Sequence, residues 1–241
     1  MNRSINIRQL WVLVKTSIRI DFRAHKQNFG SRKKISPLWW TLVFYFFMSL
    51  MISAGLIKAS PFLYCLLTIS YSMVLILFSV LIEFGNTIIN PDDVDILAHQ
   101  PISAPTYYLS RFLNLQFFAL LMGSVLSGVP AVIGLAVSDS WWFPLLYFSV
   151  AMVANSTAAS LVVLIYTTLL RTMEYEKFRD LLAYLHGGFS FIIFLGYNLV
   201  PRLSQKFLVS GSDIEAGWLY LTPPAWYSGA INLLNGTGRT M

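Results

Sequence analysis

Residues 37–84 read PLWWTLVFYFFMSLMISAGLIKASPFLYCLLTISYSMVLILFSVLIEF, with Lys58 and Glu83 as the only charges. A bilayer core of about 30 Å takes about 20 apolar residues of helix at 1.5 Å each. Two such lengths fit here, 37–57 and 61–84, with Lys58, Ala59 and Ser60 between them. The stretch is therefore a tight hairpin of two spans, and Trp39 and Trp40 stand where the first enters the interface. The same ruler finds three more spans at 112–137, 142–170 and 181–200. The fold class predicted is an all-α membrane protein. An amphipathic interfacial helix precedes five transmembrane helices, and a short re-entrant or interfacial helix follows them.

Composition points the same way. The 241 residues are 56% hydrophobic and 12% charged, against roughly 25% charged in soluble domains. That balance excludes a water-soluble globular enzyme. Cys65 is the single cysteine and lies within an apolar run, so it offers neither an intramolecular disulfide nor a zinc site.

The net charge of +6 is concentrated at one end. Residues 1–36 hold nine lysines and arginines against Asp21 alone, which leaves the remainder net acidic. Basic residues placed just before a first apolar run suit an anionic membrane face, and no nucleic-acid partner is expected. The segment 1–36, the loop 85–111 and the loop 171–180 together carry thirteen Lys and Arg, whereas the opposite loops carry Lys58. The positive-inside rule then sets the N-terminus in the cytoplasm and, after five spans, residues 201–241 outside. A cleaved signal peptide is not expected, because the first apolar run begins only at residue 37.

Within the basic segment, Ile7, Leu10, Trp11, Val14, Ile18 and Phe22 share one helical stripe. Arg8, Lys15, Arg19, Arg23 and Lys26 flank it. Such a helix can lie on the membrane, with its stripe in the acyl boundary and its basic stems reaching lipid phosphates. The alternative is a solvated basic tail, which would not need the stripe.

The loop 85–111 predicts a short helix at the cytoplasmic face. Asn90 suits an N-cap and Pro91 a first helical position. Asp92, Asp93 and Asp95 favour the positive end of the helix dipole, Pro101 closes the segment, and Ser103 or Thr106 caps the helix leading into the third span. Ile96, Leu97 and Ile102 form its apolar face. An acid-rimmed helix of this kind fits docking to a soluble partner, and equally fits a loop helix whose Ile and Leu rest on lipid.

The run from Asn90 to Ser103, with Pro101-Ile102-Ser103 at its end and Tyr107, Tyr108, Leu109, Arg111 and Asn114 after it, resembles a pattern in bacterial ATP-binding-cassette exporter permeases of the type-two kind. The order of parts agrees over most of the chain. The resemblance implies an N-terminal amphipathic helix, a coupling helix between spans two and three that docks on a separate ATPase subunit, and a re-entrant segment after span five. Asp92, Asp93, Asp95, Ile96, Leu97 and Pro101 would then meet the ATPase, and Thr222-Pro223-Pro224-Ala225-Trp226-Tyr227 looks like the start of the re-entrant segment. Read from the residues alone, Thr222 caps, Pro223 and Pro224 start a helix, and Gly236 can end it after roughly three turns, too short to span. The resemblance further implies a bacterial plasma membrane location, a second permease chain as partner and a sixth span. Because the chain stops at Met241, it is expected to be a truncated or partial product.

Other polar residues offer little chemistry. Glu83 can pair with Arg111 or snorkel to the interface, and His186 lies barely one turn into span five. Asn114, Gln116, Asn155, Ser156, Thr157 and Ser160 are expected to knit helices together. Ser124 and Gly128, with Ala154 and Ala158, supply small residues for close packing, and Pro130 should kink the third span. There is no G-x-x-x-x-G-K-[ST] loop, G-x-S-x-G elbow or H-E-x-x-H, so no catalytic residue, cofactor or metal is expected and any ATP hydrolysis belongs to another subunit. The function expected is that of an exporter permease. The rivals are an ion-coupled secondary transporter, which would need titratable groups near the midplane, and a non-transport scaffold.

Overall fold

The computed structural model describes residues 7–23, 37–88, 103–138, 140–172, 188 and 222–235. Among them there are helices and no strands: α1 (Ile7–Arg23), α2 (Pro37–Gly55), α3 (Pro61–Ile88), α4 (Ala104–Ile133), a 3-10 turn (Gly134–Ala136), α5 (Phe143–Thr172) and α6 (Pro223–Leu234). Among the described residues, three apolar stretches are long enough to cross a membrane: Pro61–Leu81, Pro105–Ala136 and Phe143–Ile165. They mark a membrane-embedded protein.

These three correspond to spans two, three and four of the sequence reading, span three starting seven residues earlier than expected, at Pro105. The expected first span is helical as α2, whose 19 uncharged residues stand at the lower end of spanning length. The expected fifth span, 181–200, lies outside the described residues, apart from the single helical residue Gly188.

The hairpin forms as expected. Leu56 and Ala59 donate backbone N–H groups to Ser53 O and Leu56 O at 3.2 and 3.0 Å, closing the turn. Ser60 then caps α3, its Oγ accepting from Leu63 N at 3.4 Å, and Pro61 occupies the first helical position, where no N–H is required. The α4–α5 connection is equally tight, because Gly134 lets the Phe143 ring lie against the backbone; a Cβ there would overlap the ring. Phe143 in turn stacks on Tyr147, with centroids 5.7 Å apart. These two connections define one end of the bundle, called here the turn end.

α4 packs on α5, α2, α3 and α1, and α3 also packs on α5. The buried apolar residues form two clusters. One, toward the turn end, contains Tyr64, Cys65, Ile69, Phe143, Tyr147 and Ala154. The other contains Tyr45, Ile76, Val80, Leu115, Leu126 and Val162.

Pro130 sits inside α4. It has no N–H to give Leu126 O four residues back, which would leave a carbonyl unsatisfied in an apolar surrounding. Ser49 of α2 supplies the missing donor, its Oγ giving a bond to Leu126 O at 2.7 Å. Tyr64 OH donates to Pro130 O at 2.8 Å. Ser49→Ala is therefore expected to cost about 1 kcal/mol. In a Pro130→Ala background the restored backbone N–H takes Ser49's place, and the cost should vanish. Equilibrium unfolding in mixed micelles of the two single variants and the double variant checks this.

Candidate functional site

Polar side chains inside apolar helices must find partners, since lipid offers none. At the junction of the two apolar clusters, Asn155 of α5 bridges both neighbouring helices. Its Oδ1 accepts from Ser72 Oγ of α3 at 2.6 Å, and its Nδ2 donates to Ser127 Oγ of α4 at 3.1 Å. All three residues are buried. Nearer the other end, Gln116 of α4 bonds Ser160 Oγ at 2.7 Å through Nε2 and accepts from Ser156 Oγ at 3.0 Å through Oε1. Toward the turn end, Tyr147 OH donates to Thr68 Oγ1 at 2.8 Å and Thr68 Oγ1 donates to Tyr64 O at 2.6 Å. The polar groups of the spans thus tie α3, α4 and α5 together, as their residue types imply.

The close approach lies elsewhere than the sequence indicates. A Cβ on Gly128 would meet nothing within 4 Å, whereas one on Gly123 would stand 2.7 Å from Asn155 Nδ2. Gly123 therefore makes room for the Asn155 amide. Ser72, Ser127 and Gly123 were not anticipated. A signal for the first was present, since Tyr64, Thr68, Ser72 and Ser79 interrupt an apolar span at intervals of about one or two helical turns.

α6 carries the predicted re-entrant residues. Thr222 is its N-cap in extended backbone, but its side chain makes no capping bond. Two prolines at the first positions remove two of the donors a cap would serve, and Ala225 N bonds Thr222 O at 3.0 Å. Pro223 is exposed, Pro224 half-buried and Trp226 61% exposed, while Ala225, Ser228 and Ile231 face inward. The helix ends at Leu234, with Asn235 rather than Gly236 as its C-cap.

The depth of α6 follows from two bonds. Tyr227 OH lies 2.9 Å from Thr157 Oγ1, which is halfway along α5, and Asn235 Nδ2 donates to Ser138 Oγ at 2.8 Å in the turn-end connection. Twelve residues, about 18 Å of helix, therefore run from mid-bundle to the turn end, packed on α3 and α5. Ile231, fully buried, joins the turn-end cluster.

At the opposite end α1 packs on α4, and Asn114 Nδ2 donates to Ser17 Oγ at 3.1 Å. Leu10, Leu13, Val14, Ser17 and Ile18 are half-buried on this side. The predicted stripe is thus divided. Leu10, Val14 and Ile18 turn to the protein, while Ile7 and Trp11 remain 75% and 65% exposed. Arg8, Lys15 and Arg19 are exposed, and Lys15 Nζ stands 5.7 Å from the centre of the Trp11 ring. Arg23 ends the helix, and Lys26 lies outside the described residues.

The predicted coupling residues Asp92, Asp93, Asp95, Ile96, Leu97 and Pro101 also lie outside the described residues, as does His186, and so does the side chain of Glu83. Arg111 folds back on its own helix, its Nε donating to Tyr107 OH at 3.3 Å and its guanidinium 5.4 Å from the Tyr107 ring centre. Ser103 is the N-cap of α4 in extended backbone. Its Oγ bonds Thr106 Oγ1 at 2.7 Å instead of capping. Among the described residues no group of three His, Cys, Asp or Glu side chains could hold a metal ion. Comparison with family models, curated proteins and solved structures finds no match to the chain.

Proposed function

We propose that the chain is the membrane-spanning permease subunit of an ATP-driven exporter, lying in a bacterial plasma membrane with its N-terminus cytoplasmic. A separate ATP-binding-cassette ATPase subunit would hydrolyse ATP, and a second permease chain would complete the path. The observation that carries this reading is α6. A 12-residue helix set between mid-bundle and the turn end, after the spans in the chain, matches the re-entrant element that the order of parts implies.

The bundle suits a two-state pathway rather than bond chemistry. ATP-driven closure of two ATPase subunits would push on residues 92–100, and that push would tilt α3 and α4, which flank the segment in the chain. Among the described residues, the polar groups at mid-span are serines, threonines, tyrosines and amides already spent on interhelical bonds. That gives an ion-coupled transporter little to titrate.

The test is to tag the full chain in its native cells, solubilise gently and identify stoichiometric partners by mass spectrometry. An ATPase with Walker motifs should co-purify, and Asp95→Lys or Leu97→Lys should abolish its recovery while membrane insertion stays intact. Absence of any such ATPase, with the reading frame verified, would favour a scaffold or secondary transporter.

A further inference from the structure

α1 presents three different faces. Its half-buried side, Leu10, Leu13, Val14, Ser17 and Ile18, is turned toward α4. Next to this lie Ile7 and Trp11, two of the most exposed large apolar side chains of the protein. Beyond them come the exposed Lys15 and Arg19, with Lys15 held over the Trp11 ring. In water, 65% exposure of a tryptophan on an ordered helix would be costly. Beside a bilayer, the same residue has its indole at headgroup depth and the neighbouring cations at the phosphates.

The level fits. Ser17 meets α4 at Asn114, ten residues beyond Ala104. On the same end stand the exposed Trp39 and Trp40 at the start of α2 and Tyr108 near the start of α4. Aromatic side chains gathered at one end of a bundle mark an interface, and α1 lies within it. The charge of the surface then selects the lipid: Arg8, Lys15 and Arg19 are all exposed and outnumber Asp21, the one acidic residue of α1, and they complement phosphate-bearing anionic headgroups.

We propose that the Trp11, Lys15 and Arg19 face of α1 docks on an anionic lipid leaflet, and that the Ser17–Asn114 bond and the apolar seam around it transmit this docking to the first turns of α4. The composition of the leaflet thereby biases the position of α4. The proposal rests on the membrane embedding of the bundle and needs no ATPase, so it can fail or hold independently of the exporter reading.

The full chain is reconstituted in vesicles of phosphatidylcholine alone and of phosphatidylcholine with about one third phosphatidylglycerol, and hydrogen exchange is followed over residues 7–23 and 104–118. Exchange in both segments should be slower in the anionic vesicles. Each cation should account for about a fivefold change, the equivalent of the ~1 kcal/mol typical of a Lys or Arg near such a surface, and the difference should shrink at high salt. Arg8→Gln, Lys15→Gln and Arg19→Gln together should abolish the lipid dependence in both segments. Val12→Lys, which adds a cation on the exposed side between Arg8 and Lys15, should increase it. Ser17→Ala should preserve the response of 7–23 and weaken that of 104–118. Equal exchange of residues 7–23 in the two vesicle types would overturn the docking, and would be the outcome if this face served an acidic protein instead. A response of 7–23 with none in 104–118 would overturn the transmission to α4.

Discussion

Ile231→Ala is expected to release α6 from the bundle while α2 to α5 stay packed. Ile231 is fully buried in the turn-end cluster with Tyr64, Cys65, Phe143 and Tyr147. Truncating such a side chain costs about 2–5 kcal/mol, from the lost burial and from the cavity it leaves. A 12-residue helix starting with two prolines has little stability of its own. Polar ties such as Tyr227 to Thr157 and Asn235 to Ser138 are single bonds worth about 1 kcal/mol each. The loss should therefore appear as local opening. Hydrogen exchange over residues 222–235 should approach the unprotected rate while exchange over α4 and α5 is unchanged. Global unfolding by the variant, or normal protection of 222–235, would contradict this view of α6.

Gly123→Ala is expected to destabilise the bundle by about 1–3 kcal/mol, the usual cost of overpacking, because its new methyl would stand 2.7 Å from Asn155 Nδ2. Asn155→Ala alone should cost about 1–3 kcal/mol, given that polar contacts between membrane helices average ~0.6 and reach ~1.7 kcal/mol each and that two are lost here. The informative quantity is the coupling. With Asn155 truncated, the methyl at position 123 has space to occupy, so the double variant should be more stable than the sum of the single losses by about 1 kcal/mol or more. Additivity, measured by unfolding in mixed micelles, would show that Gly123 does not serve the amide.

The helices were legible because lipid imposes a blunt requirement. A run of apolar residues of sufficient length has to be helical, and the hairpin over 37–84 and the apolar stretches beyond it could be read from that rule alone. The helix from Pro223 was legible for a different reason, since two consecutive prolines after a threonine fix where a helix starts. What the sequence hid was which polar residues meet. Asn155 is visibly out of place in an apolar helix, yet its partners lie 83 and 28 residues away on α3 and α4. Only the relative rotation of the three helices decides that they are Ser72 and Ser127. The same holds for Gly123 and Gly128, which the sequence cannot rank because both satisfy the same small-residue rule. For α1 the stripe was read correctly but its use was not. Amphipathicity reports one apolar face, and it does not say that Leu10, Val14 and Ile18 would turn to protein while Ile7 and Trp11 would not.

The helix lengths carry a consequence for the bilayer itself. α2, Pro37–Gly55, offers 19 uncharged residues, about 28 Å, whereas α4, Ala104–Ile133, is a helix of 30, about 45 Å. A hydrocarbon layer of about 30 Å therefore matches one flank of the protein and falls well short of the other. Lipids next to α2 keep their ordinary reach, while α4 must tilt or emerge into the headgroups, at a fraction of a kcal/mol per ångström of mismatch. The α4 flank thus carries the mismatch, and the surroundings that relieve it are the thicker regions of a membrane.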